Sequence, residues 1–310
     1  MEKFLVDRID RTVDNYRLAK EYLKNDGDIL NHFASLVFSH YEREIPIDRI
    51  KEIRKEIKAV RGDILYIISL LIATTDKDMQ QEIIENMFSA MEKLEENGFR
   101  PCSHLVLTAY VIGRYGNPRK QDDIVYKLKE SYILLKEKYN NITNEDDYLL
   151  CALWSINNIE VEVVNDFIEN VYDHVADYNI RTKNGVQGLS NAMILNGSSG
   201  HMYRNMEFLL QLQKRDIKIA NQFLPLVGVL SNTNPRRTVD LVEGVIEDLC
   251  DKEAEYEFYL DKGFRTIIAV VIVSFCTISD KRRYIDELLA HGVISFINSK
   301  NKGIFEEALS

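Results

Sequence analysis

One stretch of the sequence shows the unit from which the fold is built. Residues 47–73 read IDRIKEIRKEIKAVRGDILYIISLLIA. In its first half, apolar residues recur at intervals of three and four and so share one face of a helix: Ile47, Ile50, Ile53, Ile57 and Val60. The second half, from residue 64 to 73, is apolar on nearly every side. The stretch therefore predicts an amphipathic helix A, a short turn and a more uniformly apolar helix B.

The same pair of helices recurs with a period of about 40 residues. The apolar anchors of helix A, separated by 38 to 41 residues, are Ile84, Val125, Val164, Met202 and Val242. Each helix B has a small residue near its middle, at separations of 36 to 43 residues: Ser69, Ala109, Ala152, Ala192, Gly228 and Ala269. An earlier pair, with its helix B around Ala34 and Ser35, opens the array. The sequence thus predicts an all-α fold, a right-handed α-solenoid (α-α superhelix) of six to seven helical hairpins.

Turn residues support this division into helices. Gly98 follows the predicted end of a helix A, a position where glycine is common. Pro118 and Pro235 fall in the first turn of the next helix, where proline is tolerated. Thr143-x-x-Asp146 resembles a capping box with aspartate in place of glutamate. We therefore expect the Thr143 side chain to begin the helix that follows.

The chain shows no linker rich in proline, glycine or serine that would divide it into independent domains. The two-helix pattern breaks from Asp280 onwards. We therefore expect a helical-hairpin array over residues 1–279 and a C-terminal helical cap over residues 280–310.

Composition excludes several classes of protein. Hydrophobic residues make up 45% and charged residues 28% of the 310 residues, as in a folded globular chain. Only 14 glycines and 5 prolines are present, which disfavours a turn-rich β-sandwich or barrel. The 49 acidic against 39 basic residues give a net charge of -10, which disfavours a nucleic-acid partner.

The apolar runs and the cysteines predict a cytoplasmic protein with no membrane partner. No apolar signal-peptide segment opens the sequence, and the longest apolar runs are about half of the roughly 20 residues needed to span a bilayer. The four cysteines are widely spaced and form no CxxC pair: Cys102, Cys151, Cys250 and Cys276. We expect free thiols, no disulfide, no metal and no cofactor.

Three segments together resemble a known family. They read DRIKEIRKEIKAVRGDILYIISLLIA, MEKLEENGFRPCSHLVLTAYVI and NITNEDDYLLCALWS. Their order resembles DUF4003, an uncharacterised bacterial family, and the resemblance runs from about Phe33 to Ile278 and weakens after Asp280. It implies an all-helical cytoplasmic protein and supplies no activity and no functional residues.

No catalytic signature is present in the sequence. HExxH, GxxxxGK[ST] and GxSxG are absent, and no two histidines lie three or four residues apart: His32, His40, His104, His174, His201 and His291. We interpret each histidine as structural or surface-exposed. The acids at 145–147 lie at a helix start, where they complement the helix dipole, and Trp154 is predicted to be core.

Basic turns form the one feature that suggests a binding surface. Asn117-Pro118-Arg119-Lys120 and Asn234-Pro235-Arg236-Arg237 are near copies, both predicted between a helix B and the next helix A. With the small-residue loop before residue 202 and the basic residues near 282, they predict an edge for an anion or an acidic partner: Arg119, Lys120, Gly197, Ser198, Ser199, Gly200, His201, Arg204, Arg236, Arg237, Arg282 and Arg283. Repeat ancestry with solvated turns is the alternative.

Two functions remain open from the sequence. The first is a non-enzymatic helical-repeat scaffold that binds a protein or peptide, for which an acidic segment would suit the basic edge. The alternative is a hydrolase-like enzyme with dispersed acidic and histidine residues in a helical cavity. An open groove would favour the scaffold, and a closed pocket with convergent acids and histidines would favour the enzyme.

Overall fold

A computed structural model describes residues 3–23, 28–176, 180, 182–196, 200–230, 234–277 and 284–303. Within these residues the chain is helical and contains no extended strand, so the all-α class is confirmed. The helices are α1 (Lys3–Leu18), α2 (Asp28–His40), α3 (Ile47–Glu56), α4 (Asp63–Ala73), α5 (Lys77–Glu96), α6 (Ser103–Tyr115), α7 (Gln121–Tyr139), α8 (Tyr148–Ile156), α9 (Val161–Ala176), α10 (Lys183–Met193), α11 (Gly200–Lys214), α12 (Leu224–Val229), α13 (Pro235–Lys252), α14 (Lys262–Thr277) and α15 (Ile285–Asn301).

From α1 to α14, each odd-numbered helix packs against the even-numbered helix that follows it. The odd-numbered helices are the predicted A helices and the even-numbered ones are the predicted B helices. All five apolar anchors lie in A helices and are buried. All six small residues lie in B helices and are buried as well.

The small residues let neighbouring backbones approach closely. A Cβ atom placed on Gly228 of α12 would lie 2.8 Å from the Cβ of Ala192 in α10. Similarly, a Cβ on Gly113 of α6 would lie 2.7 Å from the backbone nitrogen of Met87 in α5. Both positions are therefore restricted to glycine by packing, because real Cβ contacts are longer than this.

The first and last hairpins are in contact. Helix α1 packs against α13 and α14, and α2 packs against α14. Ion pairs reinforce this contact: Arg17 Nε lies 2.9 Å from Glu253 Oε2, and Lys252 Nζ lies 2.5 Å from Asp10 Oδ1. The two ends of the hairpin series are thus brought together.

Helix α15 lies among the B helices. It packs against α2, α4, α6 and α12, and the twelve consecutive residues from Ile285 to Phe296 are all buried. A helix buried on every side must be covered by several neighbours. The domain boundary after residue 279 stays a prediction, while the observed contacts make α15 part of the core that the hairpins share.

Most of the predicted helix ends are observed. Gly98 follows α5 with φ +88°, the left-handed conformation that favours glycine. Pro235 is the first residue of α13, and Pro118 begins the 3₁₀ turn Pro118–Lys120 before α7. The first-turn positions predicted for both prolines are confirmed.

The capping box predicted for Thr143 and Asp146 is wrong by one residue. Asn144 is the cap: its Oδ1 accepts from the backbone N–H of Asp146 at 2.8 Å, and Asp147 Oδ2 accepts from the backbone N–H of Asn144 at 3.0 Å. The Thr143 hydroxyl instead donates to the carbonyl of Leu135 at 3.1 Å. Because Asp147 rather than Asp146 completes the capping box, the side chain of Asp146 is available for another contact.

Candidate functional site

A polar pocket of about 390 Å³ opens where three B helices begin. Its walls are Asp146 and Asp147 before α8, the first residues of α10, Asn221 and Gln222 before α12, and α15 from His291 onwards. The volume lies in the range of pockets that hold small-molecule ligands. We call this cavity the polar pocket.

Asp146 is the charged side chain most directly presented to the polar pocket. Its Oδ1 lies 2.7 Å from Nε2 of His104, the second residue of α6. His104 is buried, whereas 46% of the Asp146 side chain is exposed, and Asp146 lines the pocket. Burial raises the pKa of Asp146, but the His104 hydrogen bond and the nearby His104 and His291 charges outweigh it and lower the pKa to about 2.

His291 of α15 is the second histidine at this site. Its ring centroid lies 5.1 Å from that of His104, and it lines the polar pocket although it is only 4% exposed. Its Nδ1 has no hydrogen-bond partner among the residues that the structure describes. Burial, together with His104, lowers the pKa of His291 to about 4, so its imidazole is neutral at pH 7.

Asp147 is buried beside Asp146 and holds the pocket wall together. Its Oδ2 accepts from the backbone N–H of Asn144, and its Oδ1 accepts from Nδ2 of Asn191 at 3.3 Å. Burial raises the pKa of Asp147 to about 7. Two adjacent carboxyl groups therefore differ strongly in proton affinity, because one is paired with histidine and open to the pocket and the other is enclosed.

Side-chain amides complete the polar lining. Gln187 Nε2 donates to Thr143 Oγ1 at 2.9 Å, and Gln222 Nε2 donates to Ser299 Oγ at 3.1 Å. Gln222 Oε1 and Asn221 Oδ1 are buried atoms that have no hydrogen-bond partner within the described part of the chain. Such atoms are rare in folded proteins, and water or a ligand normally satisfies them.

The polar pocket shows no sign of a metal centre. Over the described residues, no group of three or more histidine, cysteine or acidic side chains could hold a metal ion. The contact between His104 and Asp146 is a pair, with Ser295 Oγ 3.5 Å from the same nitrogen. The arrangement suits hydrogen bonding and proton transfer.

Comparison with known proteins gives a family without an assigned activity. Residues 15–302 match the family described as "Protein of unknown function (DUF4003)". The chain belongs to this family. The resemblance seen in the sequence is thereby confirmed, and no curated protein and no solved structure matches the chain.

The basic edge predicted for this DUF4003 protein is only partly described. Arg119 and Lys120 are exposed in the turn before α7, Arg204 is exposed on α11, and Arg236 and Arg237 are exposed in the first turn of α13. Gly200 is the first residue of α11. The side chain of His201, the segment 197–199 (Gly197, Ser198 and Ser199), Arg282 and Arg283 lie outside the described residues. A common edge stays a prediction.

The twin motifs have a local structural reason. Asn117 Oδ1 accepts from the backbone N–H of Arg119 at 3.0 Å, and Asn234 Oδ1 accepts from that of Arg237 at 3.3 Å. Each asparagine therefore caps its turn while proline takes the next position. Capping accounts for the Asn-Pro pair but not for the two basic residues that follow.

Sequence reasoning missed the residues that meet in the polar pocket. His104, Asp146 and His291 belong to three separate elements, so a search for histidines three or four residues apart could not find them. The dipole explanation for the acids at 145–147 is incomplete, since Asp146 pairs with His104. The interpretation of Trp154 as core is confirmed: the side chain is buried and its Nε1 donates to the Asn191 carbonyl at 3.2 Å.

No helix in the described part of the chain has both the length and the apolar character needed to cross a membrane.

Proposed function

We propose that this DUF4003 protein binds a small polar molecule in the polar pocket. The observation that carries the proposal is the convergence of Asp146, held by His104, with His291 and with unpartnered amide oxygens in one cavity. A cavity in which polar groups with strongly shifted pKa values converge is a candidate ligand site in a protein of unknown activity. The ionised Asp146 serves as a fixed acceptor, since its low pKa keeps it charged at all physiological pH values.

Ligand-observed NMR on a mixture of sugars, amino acids, nucleosides and phosphate esters tests this proposal. Ser299 lines the polar pocket, so Ser299→Tyr should fill the cavity and abolish the signals. The exposed neighbour Asn298 does not line it, so Asn298→Tyr should bind as the wild type does. Absence of binding to the wild type, or equal binding by both variants, contradicts the proposal.

Hydrolysis is a second candidate, favoured by the pair of unlike carboxyl groups. Asp147, with a pKa of about 7, could give a proton to a leaving group, while the ionised Asp146 orients the attacking water. This is the hydrolase-like alternative that the sequence left open. Turnover of any bound compound by the wild type, lost in Asp147→Asn and kept in Glu145→Gln, would support it.

The peptide-binding scaffold and the right-handed superhelix of six to seven hairpins both stay predictions. The contact of α1 with α13 supports a helical path that returns to its start. The basic edge is tested by the double change Arg236→Glu and Arg237→Glu, which should weaken capture of acidic peptides if the edge binds them.

A further inference from the structure

We propose that the ligand of the polar pocket is a neutral, hydroxyl-rich compound of one or two sugar rings. This inference rests on the proposed function and names the class of ligand. The pocket volume of about 390 Å³ corresponds to roughly a dozen water molecules, which is enough for a compound of this size.

The unpartnered amide oxygens favour a ligand that can donate hydrogen bonds. Asn221 Oδ1 belongs to a side chain that is only 8% exposed, and Gln222 Oε1 is likewise enclosed. Both residues line the polar pocket. An unsatisfied buried acceptor costs about 1–3 kcal/mol, so a ligand hydroxyl placed there would gain affinity. A hydroxyl also accepts, and it therefore satisfies either orientation of an amide group.

The opposite wall offers donors. Lys183 and Asn184 are the first residues of α10, and their backbone N–H groups have no acceptor within the helix. The third N–H, that of Gly185, is already bonded to Thr182 Oγ1 at 3.0 Å. A ligand with several hydroxyl groups can accept from N–H groups of this first turn and donate to Asp146 and the amide oxygens at the same time.

Charge in the polar pocket disfavours both anions and cations. Asp146 repels an anionic ligand, while the N-terminus of α10 and the Lys183 side chain disfavour a cationic one. Three apolar side chains also line the pocket, namely Ile142, Leu150 and Pro225. The lining therefore carries charges of both signs beside apolar surface, which favours a neutral ligand that has both hydroxyl groups and C–H faces over an ionic one.

Gly185 has no side chain, and this leaves room for the amide group of Asn221. A Cβ atom on Gly185 would overlap Asn221 Oδ1. The start of α10 and the turn before α12 thus meet at this glycine. A larger residue at position 185 would displace the amide oxygen that the ligand is proposed to reach.

Saturation-transfer NMR with matched probes tests the ligand class. The probes are neutral mono- and disaccharides, glucosamine as the cation, glucuronate as the anion, and glucose 6-phosphate. We expect at least one neutral sugar to bind the wild type and the Asn298→Tyr control but not Ser299→Tyr. Asp146→Asn and Gln222→Leu should each weaken that sugar about tenfold or more, and Glu145→Gln should leave affinity unchanged. Glu145 is adjacent in sequence but does not line the pocket.

The remaining outcomes separate the two proposals. If only a charged sugar, or another class of compound, binds in a manner that Ser299→Tyr abolishes, the ligand class is wrong and the polar pocket remains a binding site. If no probe and no member of the broader mixture binds, both proposals fail. If a neutral sugar binds equally to Ser299→Tyr, it binds elsewhere and the inference is overturned.

Discussion

Two stretches of α15 contain buried polar groups that differ in their hydrogen bonding: its first turn and the stretch that begins at His291. At its start, Asp286 accepts from His40 Nδ1 at 3.2 Å, and Glu287 accepts from Arg114 Nη1 at 3.1 Å and from the Tyr115 hydroxyl at 2.7 Å. Farther along, His291 Nδ1 is buried without a partner in the described part of the protein and lies beside the polar pocket. The acids in the first turn are paired with neighbouring helices, whereas His291 has a ring nitrogen without a partner among the described residues.

The difference distinguishes structural polar groups from candidate functional ones. A buried charge is tolerated only when a partner compensates for lost hydration, and Glu287 has two. Arg114, a cation near the end of α6, also complements the acids at the start of α15, as helix dipoles favour. At the polar pocket, His291 Nδ1 is a neutral buried atom without such a partner among the described residues, and water or a ligand normally satisfies an atom of this kind.

The largest effect on stability is expected at the start of α15, where Glu287 is paired with Arg114 and Tyr115. Glu287→Ala would leave the largely buried Arg114 guanidinium without its carboxylate and should lower the free energy of unfolding by about 3–5 kcal/mol. Glu145→Ala, which removes an ion pair with the exposed Arg100, should cost less than about 1 kcal/mol. Urea unfolding of both variants measures the difference, and equal losses would contradict the distinction.

Lowering the pH should reduce the free energy of unfolding through His291, which lines the polar pocket. The folded pKa of His291 is about 4, and the unfolded value is about 6.5. Between these pH values the unfolded chain binds more protons, so the contribution of neutral His291 is present above pH 6.5 and lost as pH falls towards 4. His291→Gln should remove about 2 kcal/mol of the stability change between pH 7 and 4.5.

Urea unfolding at the two pH values, compared between variant and wild type, measures this effect. The comparison is necessary because Asp147 acts in the opposite direction: its folded pKa of about 7 exceeds the unfolded value, so its contribution is lost as pH rises. Glu145→Gln serves as the control. An unchanged pH dependence in His291→Gln would show that this histidine does not remain neutral in the folded protein.

Gly292, in the middle of α15, has no room for a larger side chain. A Cβ on Gly292 would overlap the ring of Phe223, which belongs to the same 3₁₀ turn as Asn221 and Gln222 at the pocket wall. Gly292→Ala should therefore destabilise the protein by about 1–3 kcal/mol, while Asn298→Ala on the exposed side should not. Thermal unfolding checks this, and an unchanged Tm for Gly292→Ala would mean that the turn moves aside freely.

The smallest effect on stability is expected for the pocket carboxylate. Asp146→Asn should change the free energy of unfolding by less than about 1 kcal/mol, because the asparagine Oδ1 can still accept from His104 Nε2 and 46% of the Asp146 side chain is exposed. Urea unfolding measures the change. A loss as large as that of Glu287→Ala would make Asp146 a structural residue and remove the contrast between the two ends.

Local sequence predicted much of the fold but left one cap ambiguous. Thr143 and Asn144 each have an aspartate three residues later, so both fit a capping box. Other contacts of Thr143 decide between them. Its hydroxyl donates to the Leu135 carbonyl and accepts from Gln187 Nε2, so Asn144 is the residue that caps the turn. That one-residue difference determines which carboxyl group is presented to the polar pocket.

The sequence alone determined the helices, their apolar faces and the small residues at their close contacts. These features follow from a periodicity of three to four residues and from backbone sterics, which act within a few turns of helix. Only the tertiary structure decided that α15 lies among the B helices and that His104, Asp146 and His291 meet. Their meeting depends on how distant helices pack, and neither spacing nor composition records it, because each residue taken alone has an ordinary place in its own helix or turn.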